Sequence, residues 1–168
     1  LNASIDAERQ RSGLPEEWAS TQKVAVGEAL TVGRLQAWKQ QDPVGALAQF
    51  DVDKSAIADP AKAAALQHQL FEAAKPVFAS NMLTGELRTI AKSQDEAFAL
   101  SRVANSMGLK FSVKVQDDAR TDSSSPAFDM LPINQKFEVL NAARILNDQT
   151  TATAKMDLGD NIRDAKAS

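Results

Sequence analysis

Helix-start signals recur along this chain. Aspartate stands directly before proline in two places, Asp42-Pro43 and Asp59-Pro60. An aspartate side chain can accept the free amides of a first helical turn, and proline is harmless there because its missing N–H would have no partner within the helix. Together with further helix starts and apolar stripes, these signals predict an all-α fold. We expect a multi-helix array of short and long helices, with at most one short strand-like segment at 109–115.

The longest helical pattern begins at Pro15 and is expected to run to about Gln41. Acidic residues follow the proline and complement the helix dipole. Two glycines inside the pattern, Gly27 and Gly33, each weaken a helix by about 1 kcal/mol relative to alanine. They predict bend points or a close crossing with another helix.

Two further helices follow the Asp-Pro pairs. The first is expected to be short and to run from Pro43 to Phe50. The second carries apolar residues at helical spacing from Leu66 to Phe78. Pro76 is expected to end or kink it, because proline removes a backbone donor from the helix interior.

The best-defined helix begins at the capping box Ser93-Gln-Asp-Glu96 and ends at Gly108. After it, apolar residues occupy every second position of 109–115, which predicts a strand. No equally clear partner strand is visible in the sequence. An extended linker laid over helices therefore stays an alternative, because a lone strand is not stable.

A segment rich in aspartate and serine marks the clearest internal boundary of the chain. We expect a helical region at 1–108, an extended segment and mobile linker at 109–125, and a helical hairpin at 126–168. Pro126 and Pro132 each open a helix of this hairpin. The chain does not begin with methionine, which indicates either a processed chain or, as the favoured alternative, a segment of a much longer protein.

The charge balance argues against tight nucleic-acid binding. Nineteen basic residues stand against 22 acidic ones, so the net charge is −3, whereas gripping phosphates requires a positive surface. Cysteine is absent, which excludes disulfides and thiolate metal sites. No stretch approaches the ~20 apolar residues that cross a bilayer, so we expect no transmembrane segment.

One acidic cluster has the opening spacing of a calcium-binding loop: Asp51, Asp53 and Asp59. Such a loop needs glycine at its sixth position and a bidentate glutamate at its twelfth. Ala56 and Lys62 stand there instead. We therefore predict no calcium response, and helix capping by Asp53 and Asp59.

Neither acid–base candidate has the partners that catalysis needs. His68, the sole histidine, lies off the apolar stripe of its helix and is expected to be exposed. Glu86 would act as a general acid only in an apolar pocket that raises its pKa. It more simply favours the first turn of a helix capped by Thr84. We expect no catalytic, cofactor-binding or metal-binding residue in this segment. We also expect that the segment is not an enzyme by itself, while a longer parent chain could still carry an enzyme domain.

The order of these features resembles the helical interior of the internal virion proteins of short-tailed phages, also called ejection or core proteins. The resemblance covers about residues 42 to 168. It rests on Asp42-Pro-Val-Gly-Ala-Leu, Asp59-Pro with its long helix, Leu83-Thr84, Ser93-Gln-Asp-Glu-Ala-Phe-Ala-Leu100 and Ser125-Pro-Ala-Phe-Asp-Met-Leu-Pro132 with the helix after it. Some members carry a lytic transglycosylase domain elsewhere in the chain, but the transglycosylase motif is missing from this segment.

Membership would imply a structural viral protein that is packaged in the virion interior and expelled into the host cell envelope, the periplasm, at infection. There it would assemble with other virion ejection proteins into an oligomeric conduit, through which DNA passes without specific binding. Two other classes stay open. One is a peptidoglycan-degrading lytic transglycosylase. This segment would then be its non-catalytic helical part or, as a less favoured alternative, would supply Glu86 as the catalytic acid. The other is a bacterial helical adaptor that binds a partner by strand addition at 109–115.

Five apolar residues are candidates for contact with another copy or with a sister protein. They are Trp18, Trp38, Phe111, Val113 and Val115. Both tryptophans lie on the long first helix, and the other three alternate along an extended edge. The alternative is that the tryptophans close the protein's own core, as large aromatic residues often do.

Overall fold

The computed structural model describes the backbone of residues 1–109, 111–115 and 125–167, and their side chains except at 112 and 157–167. Seven α-helices lie in the described part, and the helical content is 79 %. The predicted helical fold is confirmed. Two short strands add a small parallel sheet to it.

The chain divides into two compact units, Leu1–Ala73 and Ala74–Ser168. The predicted division into 1–108, 109–125 and 126–168 stays a prediction, because most of its linker lies outside the described residues.

The first unit consists of helices packed on one long helix. Its elements are α1 (Asn2–Ser12), α2 (Glu16–Lys39), α3 (Pro43–Asp53), a 3-10 turn (Lys54–Ala56) and the part of α4 (Pro60–Leu83) that ends at Ala73. α2 contacts both α1 and α3. Asp42 caps α3 as predicted, because its Oδ1 accepts from the Gly45 N–H at 2.8 Å. The apolar core of this unit includes Leu35, Leu47, Phe50, Ile57, Leu66, Leu70 and Phe71.

Two expectations for these helices are wrong in part. No atom of a neighbouring element lies within 4 Å of the position that a Cβ would take on Gly27 or Gly33, so neither glycine marks a close helix crossing. Pro76 lies inside α4 and does not end it, since the helix continues to Leu83. A kink at Pro76 and bends at the two glycines stay predictions.

The second unit contains a strand–helix–strand motif. Its elements are the rest of α4, β1 (Arg88–Ala91), α5 (Gln94–Ser106), β2 (Ser112–Val115), α6 (Pro126–Asp129) and α7 (Ile133–Ala167). β1 and β2 pair in parallel, with Thr89 opposite Val113, and α5 supplies the crossover that parallel strands require. The strand predicted within 109–115 is confirmed. It has a partner strand that the sequence did not reveal, because β1 spans only four residues.

A turn, not a helix, connects α4 to β1. Gly85 has φ 76°, a left-handed conformation that glycine adopts without strain. Thr84 Oγ1 donates to the Asn81 carbonyl at the end of α4. The predicted helix capped by Thr84 is therefore wrong, and Glu86 is an exposed residue just before β1.

Helices and both strands enclose the core of the second unit. α5 contacts β1, β2 and α7, and α6 contacts β1. The largest buried apolar side chains are Phe78, Met82, Leu87, Leu100, Leu109, Phe128, Leu131, Val139 and Leu140. Among the helices of the described part, none is long and apolar enough to cross a membrane.

Candidate functional site

An ion pair between α5 and α7 lies in the interior of the second unit. The Lys136 side chain is 0 % exposed and that of Glu96 is 11 % exposed, and Lys136 Nζ donates to Glu96 Oε1 at 2.7 Å. Lys136 Nζ also lies 5.8 Å from the centre of the Phe128 ring, within the range of a cation–π interaction. A buried ammonium is tolerated here because an opposite charge and an aromatic face replace its lost hydration.

Glu96 also completes the capping box that the sequence predicts for α5. Ser93 Oγ accepts from the Glu96 N–H at 3.2 Å, and Glu96 Oε2 accepts from the Lys92 N–H at 2.8 Å. Burial raises the pKa of the Glu96 carboxyl, but the hydrogen bonds from Lys136 and Lys92 and the two lysine charges together outweigh burial. The pKa of Glu96 therefore lies below its ordinary value of 4.5. One carboxylate thus caps α5 and binds α7.

We expect the stability of the second unit to fall in acid through Glu96. A carboxyl whose pKa is lowered on folding stabilises the folded state fully above its ordinary pKa of 4.5. That contribution is lost as the pH falls through the lower pKa of the folded state. Urea denaturation from pH 7 to pH 3 measures the effect. The difference in unfolding free energy between the unmodified protein and Glu96→Gln should shrink below pH 4.5. A difference that stays constant with pH would contradict the assignment.

A second carboxylate fastens α6 to β1. Asp129 Oδ1 accepts from Thr89 Oγ1 at 2.5 Å and from the Ile90 N–H at 2.9 Å. Thr89 is buried, as is Lys136. These two networks therefore hold helices and a strand in place.

The acidic cluster of the first unit is engaged in ion pairs. Asp53 Oδ2 accepts from Arg34 Nη2 at 2.5 Å, and Asp51 Oδ1 accepts from Lys54 Nζ at 2.6 Å. Asp53 caps no helix through its side chain, so that part of the capping prediction is wrong. Asp59 does cap α4, since its Oδ1 accepts two first-turn amides. The absence of a calcium response stays a prediction.

Lys62, which replaces the calcium-binding glutamate, joins α4 to α2. Its Nζ donates to Glu28 Oε1 at 3.0 Å, and Glu28 Oε2 accepts from the Ala58 N–H at 3.1 Å. The hydrogen bond from Lys62 and the bond from Ala58 lower the pKa of Glu28, and the same partnership raises the pKa of Lys62. The cation at this position therefore has a structural role in the first unit.

The predicted interface residues differ in exposure. Trp18 is half-buried, whereas Trp38 is 37 % exposed. Phe111 is half-buried and meets Phe128 edge to face, with ring centres 6.0 Å apart. Val113 and Val115, on β2, are half-buried as well. Contact of these residues with another chain stays a prediction.

The sequence interpretation missed Phe98 on α5. This ring is 69 % exposed, although α5 buries Leu100 and Ala104 on its other side. The sequence could have indicated this exposure, because Phe98 does not share the helical spacing of Leu100 and Ala104. His68, by contrast, is exposed on α4 as expected.

Comparison with known proteins gave no match of any kind. No family model matches the chain. No curated protein and no solved structure matches it either.

Proposed function

We propose that this chain is a structural segment of an internal virion protein, or ejection protein, of a short-tailed phage. In this proposal it is packaged in the virion interior and released into the host cell envelope at infection. There it assembles with sister ejection proteins into a conduit for the genome. The DNA passes the chain without specific binding.

The long helix α7 carries this proposal. It has 35 residues, which corresponds to roughly 50 Å at about 1.5 Å per residue. Among the side chains of this helix that the structure describes, which end at Met156, the last buried one is Ala143, and every one from Asp148 to Met156 is exposed. A helix without neighbours is only marginally stable in water. We infer that another chain packs against the exposed stretch 148–156 of α7 in an assembly.

Other properties suit a protein that passes through a narrow tail. Contacts within helices and between adjacent helices form quickly, so such a chain can unfold and refold in transit. The chain has no cysteine, which avoids cross-links on the way. Its net charge of −3 would not hold passing DNA.

The test is the protein content of the phage particles that carry this gene. We expect mass spectrometry to find peptides of the chain in full particles and to lose them from particles that have ejected their DNA. The portal protein, which stays in the particle, is the internal control. Retention of the chain in emptied particles, or its absence from full ones, would contradict the proposal.

A zymogram separates this proposal from the enzymatic alternative. We expect the 168-residue chain to clear no peptidoglycan, because its buried carboxylates are held in structural networks and Glu86 is exposed. Clearing that disappears in the Glu86→Gln variant would replace the structural proposal with a lytic transglycosylase.

A further inference from the structure

The outer face of α5 exposes an aromatic ring beside a groove. Phe98 is 69 % exposed, whereas every other phenylalanine in the chain is buried or half-buried. The ring borders a shallow groove of about 390 Å³, which is also lined by Ala99, Arg102, Val103 and Ser106. An exposed aromatic ring next to an unfilled groove is typical of an interaction surface.

Opposite charges flank this ring. Asp95 lies one turn before Phe98 and Arg102 lies one turn after it, and all three side chains are exposed. The spacing places them on one face of the helix. Within the described ranges, neither the Asp95 carboxylate nor the Arg102 guanidinium has a hydrogen bond or an ion pair. The face thus carries an acid, an apolar centre and a base, in that order.

We propose that this α5 face binds the same face of a second copy of the chain. The two helices run antiparallel about a two-fold axis that passes between Phe98 and Ala99. In this arrangement Asp95 of each copy faces Arg102 of the other. Each Phe98 ring lies against the small Ala99 side chain of the other copy and enters the groove beside it. The symmetry makes every contact occur twice.

The charge order selects this arrangement. A parallel pairing would place Asp95 against Asp95 and Arg102 against Arg102, and like charges at facing positions repel. A partner surface with charges of only one sign would form an ion pair with either Asp95 or Arg102, but not with both. The antiparallel pair of identical helices satisfies both ends and buries both Phe98 rings. This inference does not depend on the proposed phage function.

The size of the face sets the strength of the contact. α5 has 13 residues, or roughly 20 Å of helix at about 1.5 Å per residue. Such a face is small beside the ≈ 800 Å² per partner of a standard stable interface. We therefore expect a weak dimer that dissociates on dilution. It should also weaken at high salt, because both ion pairs lie at the rim.

Charge exchange between two variants tests the arrangement. In sedimentation velocity at increasing concentration, Asp95→Arg alone and Arg102→Asp alone should each remain monomeric, because each puts like charges at the facing positions. An equimolar mixture of the two variants should recover the dimer, since both facing positions are then complementary. The double variant Asp95→Arg/Arg102→Asp should dimerise by itself. Circular dichroism verifies that each variant is folded.

Two further variants keep the test decisive. Phe98→Ala should weaken dimerisation at least tenfold while the fold is retained. Because the chain has no cysteine, Ala99→Cys introduces a single thiol near the proposed axis and should form a disulfide between copies under mild oxidation. The exposed control Glu86→Cys should not. A monomeric unmodified protein at millimolar concentration, a mixture that stays monomeric, or equal cross-linking of both cysteine variants would overturn the proposal.

Discussion

Replacing Glu96 with alanine is expected to lower the free energy of unfolding of the second unit by about 3–5 kcal/mol. The substitution leaves the Lys136 ammonium in the interior, where it is 0 % exposed and loses the carboxylate 2.7 Å away. It also removes the acceptor of the Lys92 N–H and so half of the α5 capping box. An unpaired buried charge is among the most destabilising changes known in proteins.

The matched control removes the cation and keeps the carboxylate. Lys136→Met is expected to change stability by less than about 1.5 kcal/mol, since methionine fills most of the space of the lysine stem. Glu96 then keeps its bond from Lys92 and its partial contact with solvent. The double variant Glu96→Ala/Lys136→Met should be more stable than Glu96→Ala alone, because no unpaired charge remains.

Urea denaturation followed by circular dichroism measures these differences. Both tryptophans, Trp18 and Trp38, belong to the first unit, so the second unit has no tryptophan of its own as a fluorescent probe. If Glu96→Ala and Lys136→Met destabilise the protein equally, the explanation by an unpaired buried charge is wrong.

The helix starts could be predicted because their chemistry is local. Asp42, Asp59 and Ser93 each accept an amide no more than three residues away, so the cap and its acceptor appear together in the sequence. Gly13 and Gly108 end helices in a left-handed conformation for the same local reason. Such signals identify where helices begin and end without any knowledge of the packing.

The polar networks could not be predicted because their partners are distant in sequence. Lys136 meets Glu96 across 40 residues, and Asp129 meets Thr89 across 40 residues as well. Nothing in the spacing of these residues indicates which carboxylate approaches which donor. The four-residue strand β1 was missed for a related reason, since its extended conformation depends on pairing with β2, which is distant in sequence.

Surface residues were identified in part. Phe111, Val113 and Val115 were expected at an edge from their alternation. Phe111 is half-buried and places its ring against Phe128 of the second unit, and its contact with another chain stays a prediction. The alternation correctly indicates a strand, but it cannot say which face the fold covers. Phe98 was readable from the sequence as the apolar residue of α5 that does not fit the buried stripe.

Phe128→Ala is expected to lower the unfolding free energy of the second unit by about 3–5 kcal/mol, or somewhat more. The ring is fully buried and meets the Phe78 ring edge to face with centres 5.5 Å apart, and the Phe111 ring at 6.0 Å. Each such pair contributes about 0.5–1.5 kcal/mol beyond the burial of area. Alanine removes both pairs, leaves a cavity, and takes the aromatic face away from Lys136.

Phe98→Ala is the matched control, because it deletes the same ring from an exposed position of the same unit. Measured on the monomer at low concentration, its effect should stay within about 0.5 kcal/mol. Phe128→Leu should fall between the two, since leucine refills part of the cavity but restores neither edge-to-face pair. Urea denaturation by circular dichroism ranks all three variants. If Phe98→Ala and Phe128→Ala lower the unfolding free energy by similar amounts, Phe128 is not the centre of the core of the second unit. If the losses in unfolding free energy follow the expected order, the stability of the second unit depends on the packing between α4, α6 and α7. Phe128 contacts Phe78 and Lys136 there.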